Sequence, residues 1–314
     1  MKVFISHRSA LEYWRLRRTQ HNGPGERKLL ASLPGTPPAT AQVKRTGLTL
    51  PLHVLLSDPI GRWRSQTMKQ HVFIGPTPFG CFVAAKDDLM VSSPEFCFLQ
   101  MASELSLVEL IELGFELCGE YSLFVEDDPD VSESGFYNRK ALTSTKKLDA
   151  FVARMPHVWG QLKARRALRY LLDGSASPME TKLAILLTLP YKLGGYGFIP
   201  PKLNSRLMPS KTAKRTSSKG FYSCDLYWPD YGVAVEYDSD LFHTGSTRIA
   251  DDSKRRNTLA LMGVTVITVT KQQLYSSREL EKVTKILAGF LEKRLKYKNP
   301  GFSIAHRELR NQLL

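Results

Sequence analysis

GVAVEYDSD, Gly232 to Asp240, runs from apolar to acidic within a single short segment. Val233, Ala234 and Val235 read as a buried strand, and the next residues place Glu236, Asp238 and Asp240 at every second position. In an extended strand alternate side chains share a face, so the three acids crowd one side. Like charges held that close at the edge of an apolar core repel one another and resist desolvation. A cation, a basic partner or open water must offset them.

Working outward, FYSCDLYWP precedes this strand and is joined to it by a short DYG turn, which predicts a β-hairpin. Asp225 lies in the first strand, ahead of Glu236 in the second. An acid in one strand and Glu-x-Asp in its partner can bring carboxylates together on one side of the hairpin. Hard divalent cations such as Mg²⁺ or Mn²⁺ require oxygen ligands of this kind. Such an ion neutralises crowded acids, lowers the pKa of bound water and stabilises negative charge on a phosphoryl oxygen. Asp225 and Glu236 are the candidate ligands. Asp238 is a further ligand or orients a water, and Asp240 is expected in the loop beyond.

The flanks alternate helix and strand. SPMETKLAILLTLP is a helix apolar over most of its circumference, hence buried. Its start, Ser177 to Glu180, has the capping-box pattern, so Glu180 serves either the helix terminus or the acidic site, and the two roles do not exclude each other. RIADDSKRRNTLALMG is a helix closed by Gly263, VTVITVT is a strand, and RELEKVTKILAGFLEKRL is a helix with a stripe from Leu280 to Leu291. The polar loop KTAKRTSSKG carries Lys211, Lys214, Arg215 and Lys219, which could clamp a phosphodiester backbone without reading bases. Tyr222, Tyr227 and Trp228 are expected to pack the hairpin.

The series CDLYWPDYGVAVEYDSDLFH, DSKR, LALMGVTVITVT resembles the restriction-endonuclease-like PD-(D/E)XK superfamily. More narrowly, it is similar to the bacterial domain family related to very-short-patch repair endonucleases. Asp225, Glu236, Asp238, His243, Asp252, Arg255, Leu259 and Gly263 fill that family's pattern in order, with Glu180 on the upstream helix. The resemblance spans residues 175 to 295. It implies a central mixed sheet flanked by helices and Mg²⁺- or Mn²⁺-dependent hydrolysis of phosphodiester bonds. In that scheme Asp225 and Glu236 hold the metal, Asp238 and Glu180 assist, His243 transfers a proton, and Arg255 pairs with Asp252 or reaches a phosphate. The sequence departs from the superfamily in two places. Asp238 stands at the position of the usual Lys, and Ser239 replaces the Gly that follows. Those departures keep a second reading open, a nuclease-fold protein that binds DNA without cutting it.

The rest of the chain supplies context. With 314 residues and 42% hydrophobic content there is material for one large or two ordinary domains. Lys and Arg outnumber Asp and Glu by 44 to 30, a net charge of +14, which favours a polyanionic partner, nucleic acid before a membrane. DNA is the nucleic acid the resemblance implies, and no membrane partner is expected. No apolar run reaches a membrane span. Cys81, Cys97, Cys118 and Cys224 are widely spaced, which suits free, buried thiols in the cytoplasm better than a zinc ribbon or disulfide framework.

Residues 1 to 174 read as an α+β region. It has a strand at MKVFI with Ser6 capping the next helix, a long loop over 20–47, strands near 50–57, 70–75 and 80–85, and two helices over 92–121. Residues 50 to 121 also resemble, more weakly, a region of abortive-infection antitoxin-related proteins. An acidic stretch at 125–135 leads into further helices, one carrying Lys163, Arg165, Arg166 and Arg169 as a DNA-facing or solvated face. The expected organisation is therefore α/β. An α+β N-terminal region (1–174) precedes a restriction-endonuclease-like domain (175–298) and a tail (299–314), and a homodimer is compatible with it.

Overall fold

Short β-branched and aromatic clusters fold as strands and amphipathic runs as helices throughout the chain. The structure is a computed structural model. It describes residues 2–17, 27–28, 32–59, 65–74, 77–85, 88–123, 136–137, 139–211, 213–215, 220–238, 246–296 and 300–314. The architecture is mixed α/β in two units, Met1–Leu171 and Leu172–Leu314.

In the N-terminal unit, β1 (Val3–Ile5), β2 (Arg27–Lys28), β3 (Leu52–Leu56), β4 (Met68–Val72), β5 (Phe82–Ala84) and β6 (Leu89–Ser92) form one mixed sheet ordered β2-β5-β6-β1-β3-β4. Helices α1 (His7–Leu16), α2 (Thr40–Arg45), α3 (Pro94–Met101), α4 (Leu107–Cys118), α5 (Thr145–Ala153) and α6 (Gln161–Leu168) accompany it, with a small ribbon of β7 (Tyr121–Ser122) and β8 (Phe136–Tyr137). Trp14 is fully buried and donates its indole N–H to the Ser92 carbonyl at 2.8 Å. Ser93 caps α3 by accepting the Phe96 N–H, with Pro94 in the first helical position as expected. Two carboxylates are buried with partners: Glu95 with Arg27 and the Thr143 hydroxyl, and Glu116 with Arg15.

Several features of this unit differ from the sequence reading. The expected loop over 20–47 contains β2 and α2, whose one buried residue, Val43, gives no periodic signal. Strand β6 is too short to show alternation. Ser6 stands at the N-cap of α1 without a side-chain cap bond. Lys163 donates to the Leu105 carbonyl at 2.7 Å, while Arg165, Arg166 and Arg169 are exposed. The 125–135 stretch lies outside the described residues. All four cysteines are buried thiols outside any disulfide, and burial pushes Cys81, Cys97 and Cys224 up to about 12.

In the C-terminal unit the expected hairpin forms. Strands β9 (Lys202–Leu207), β10 (Tyr222–Trp228), β11 (Val233–Asp238) and β12 (Thr265–Thr270) make a sheet ordered β12-β11-β10-β9. β10 pairs antiparallel with both β9 and β11, while β11 and β12 run parallel. The buried α7 (Pro178–Thr188) packs on β10 and β11, and α8 (Ser246–Leu261) is the crossover between β11 and β12. The core joins Tyr222, Cys224 and Ala234 to Leu259 and Val264. Beyond β12 come α9 (Lys271–Tyr275), α10 (Ser277–Phe290) and α11 (Pro300–Leu313). The expected tail is thus largely helical: Phe302 lies against Tyr191 and Tyr196, and His306 Nδ1 is 2.7 Å from the Gly194 carbonyl.

Gly232 closes the hairpin turn at φ +57, and a Cβ there would stand 2.5 Å from the Gly263 carbonyl oxygen. Gly263 itself, at φ +74, has open space around a Cβ. Gly232→Ala combines backbone strain with a clash and is expected to cost about 2–3 kcal/mol. Gly263→Ala carries the strain alone, about 1 kcal/mol. Thermal denaturation of the two variants side by side measures the difference, and equal losses would remove the close-approach argument.

Candidate active site

The hairpin pairing runs from Trp228↔Val233 to Leu226↔Val235. Just past it, Asp225 Oδ2 accepts the Tyr237 N–H at 2.9 Å, so a side-chain carboxylate takes a donor from the partner strand. Asp225 is partly buried, like Glu236 and Asp238. Glu236 and Asp238 occupy alternate positions of β11, which is extended to its end, so they share a face as expected.

Glu180 lies in the first turn of α7 and is buried. Ser177 Oγ accepts its N–H at 3.1 Å, one half of the expected capping box. The Glu180 carboxylate instead accepts from the Ala176 N–H at 2.9 Å and from Asn204 Nδ2 at 2.7 Å. Asn204, in the left-handed region at φ +45, also donates to the Gly174 carbonyl at 2.9 Å. This side chain therefore ties β9 to the start of α7.

Arg255 on α8 answers part of the charge question. Its two terminal nitrogens donate to the two oxygens of Glu236, a forked guanidinium–carboxylate pair, and Nη2 also reaches the Ser223 carbonyl at 2.6 Å. The hydrogen bonds to Glu236 raise the Arg255 pKa. Glu236 is thus offset by a basic partner.

Asp225 is not offset to the same degree. Its carboxyl is pushed up from 3.8 to about 7, first by burial, then by repulsion from Glu180 and from Glu236; the Tyr237 N–H and Arg255 pull it back only in part. Asp225 of β10 therefore feels acids on both α7 and β11. Among the described residues, ligand atoms of three side chains within 4.8 Å of one another occur at His7, His53 and His71 of the N-terminal unit.

Lys211 and Lys214 are exposed on the segment around the 3-10 turn Ala213–Arg215, which packs against α8. His243, Lys219, Ser239 and Asp240 lie outside the described residues, as do the side chains of Arg215 and Asp252. Asn204 and the Ser223 carbonyl are the participants that sequence reasoning missed. KLNSRL has one apolar residue between its ends and no β-branched run, so neither β9 nor its asparagine announces itself. Comparison of the chain with family models, curated proteins and solved structures gave no match.

Between pH 3.8 and about 7 the unfolded chain releases the Asp225 proton while the folded chain keeps it. The contribution of this group to stability therefore falls as pH rises through that window. Asp225→Asn retains an oxygen for the Tyr237 N–H. It is expected to raise the melting temperature of the C-terminal unit over wild type by clearly more at pH 8 than at pH 5. A difference that does not change with pH would contradict the charge balance described here.

Proposed function

We propose that the protein is a metal-dependent endonuclease that hydrolyses phosphodiester bonds in DNA, acting in the cytoplasm. The observation that carries this reading is the burial of Asp225 beside acids on two neighbouring elements, Glu180 of α7 and Glu236 of β11, of which only Glu236 has an arginine fork among the described residues. The donor set fits a hard divalent cation. It is all carboxylate oxygen, and the Asp225 carboxyl, pushed up to about 7, is the group whose charged form a nearby cation favours. Mg²⁺ in such sites takes only one or two protein carboxylates beside water and substrate phosphate, so three converging protein ligands are not required. Asp225 and Glu236 would hold Mg²⁺ or Mn²⁺, with Asp238 and Glu180 beside them. When bound, the ion supplies an acidified water and counter-charge for phosphoryl oxygens.

The chain's own residues do the positioning. Arg255 holds Glu236 in one orientation, and a carboxylate has four lone-pair sites, so a forked arginine does not exhaust it. Asn204 and the Ala176 N–H fix Glu180. Lys211 and Lys214, with Arg215 and Lys219 in the same segment, attract the phosphate backbone, consistent with the +14 charge. His243 is the proposed proton-transfer group. The resemblance to PD-(D/E)XK endonucleases related to very-short-patch repair supports the same assignment.

One observation favours the second reading, a nuclease-fold DNA-binding regulator that does not cut. The Arg255 fork on Glu236 is a self-contained neutralisation of one metal-ligand candidate. Cleavage of plasmid and single-stranded DNA in Mg²⁺, Mn²⁺ or EDTA separates the two, with binding to the same DNA measured in parallel. The nuclease reading expects metal-dependent cutting that falls at least about 100-fold in both Asp225→Asn and Glu236→Gln while binding persists. Binding without cutting in every metal would replace it with the regulator.

A further inference from the structure

The N-terminal unit brings three histidines from three elements to one place. His7 opens α1, His53 is in β3 and His71 in β4. Each offers a ring nitrogen, and these atoms all lie within 4.8 Å of one another. His53 Nδ1 and His71 Nε2 are 3.0 Å apart. The His7 ring stacks on His71 with centroids 3.6 Å apart and planes 13° from parallel. We propose that His7, His53 and His71 form a binding site for a borderline divalent cation of the Zn²⁺ type.

The placement is costly for a purely structural role. His7 holds φ +46, a left-handed conformation that a non-glycine residue adopts at about 1–3 kcal/mol. Its N–H is held by Gln100 Oε1 at 3.0 Å, and its Nδ1 is 3.1 Å from the Ser6 hydroxyl. Ser6, the expected helix cap, makes no side-chain cap bond and instead contacts this ring. Ser9 Oγ accepts the His53 N–H at 2.9 Å, which fixes the backbone under the second histidine. His7 and His53 are buried and His71 is partly exposed, so the group is reached from one side.

The chemistry of the surroundings selects the ion. The charged groups around the histidines are Lys69 of β4, Arg8 of α1 and Glu104 just past α3. Glu104 is paired with both bases, to Arg8 at 2.9 Å and to Lys69 at 3.6 Å. No net negative field therefore draws in a hard cation, and the grip must come from imidazole lone pairs, which suit Zn²⁺, Co²⁺ or Ni²⁺ and not Mg²⁺ or Ca²⁺. Burial lowers the pKa of His7 and, less far, of His53. Tetrahedral Zn²⁺ with Zn–N bonds of about 2.0–2.1 Å sets its ligand nitrogens about 3.4 Å apart. The one nitrogen pair at 3.0 Å, His53 Nδ1 and His71 Nε2, is a little closer than that, and all three ligand atoms lie within 4.8 Å of one another. Capture requires the His7 ring to turn out of its stack on His71. Three protein ligands leave a fourth position for water or a substrate group.

The test uses the full-length, tag-free chain, stripped with EDTA and returned to chelator-free buffer. Titration calorimetry with Zn²⁺ and visible absorption with Co²⁺ are expected to give one equivalent per chain and a tetrahedral cobalt spectrum. His71→Asn and His53→Asn are each expected to weaken uptake at least 10-fold, while Asp225→Asn and excess Mg²⁺ leave it unchanged. Circular dichroism confirms that each variant is folded. Should His53→Asn not fold, the partly exposed His71 decides alone. Absence of stoichiometric Zn²⁺ and Co²⁺ uptake, or uptake unchanged in folded His71→Asn, would overturn the site. The acidic cluster of the other unit stands or falls separately.

Discussion

The C-terminal unit depends on how charge is balanced where the hairpin leaves its core. Val233, Ala234 and Val235 are fully buried, and the next residue is a carboxylate. A strand cannot change from core to acid in one step unless partners come to it, because an unpaired buried charge costs several kcal/mol. The partners arrive from every neighbouring element. Arg255 links α8 to Glu236 and to the backbone of β10 through Ser223, and Asn204 links β9 to Glu180 on α7. The same polar set that satisfies the acids thereby joins two helices to three strands of the sheet.

Balance is unevenly shared within that set, and the unevenness has chemical meaning. Glu236 has a forked arginine, and Glu180 has an amide side chain and a backbone N–H. Asp225 has the Tyr237 N–H and a more distant share of Arg255, set against burial and two neighbouring acids. Buried Glu95 and Glu116 of the other unit form a useful contrast, since each has a direct arginine partner and reads as structural. Asp225, raised by burial and two neighbouring acids, is the member of the set whose charge is least compensated among the described residues.

The hairpin, α7, α8 and β12 were legible because each is long and strongly patterned, and Gly232 and Gly263 mark their ends. Other elements were not. β9 is a polar strand held by its pairing with β10, so its stability lies in a ladder that no local pattern reports. α11 falls where the sequence predicts only a tail. Its order comes from docking through Phe302, His306 and Leu309, a tertiary effect. The acids themselves were legible from the strand period. Their neutralisation was not, because Arg255 sits on a different element, nineteen residues along the chain, and meets Glu236 only through the fold.

The histidine group marks the far limit of local reading. His7, His53 and His71 share no spacing, and each alone reads as an ordinary core or strand residue. They meet because α1 begins at the end of β1, β1 lies beside β3, and β3 pairs in parallel with β4. Sheet order, and no motif, creates the cluster. The two units thus hold polar groups of opposite character. One is rich in carboxylate oxygen, the donor hard cations prefer; the other is imidazole-rich, with Lys69 and Arg8 set against Glu104 nearby, and imidazole is the donor borderline metals prefer. Carboxylate oxygen also accepts Zn²⁺, so what sets the histidine group apart is its imidazole nitrogen, a donor that Mg²⁺ does not favour.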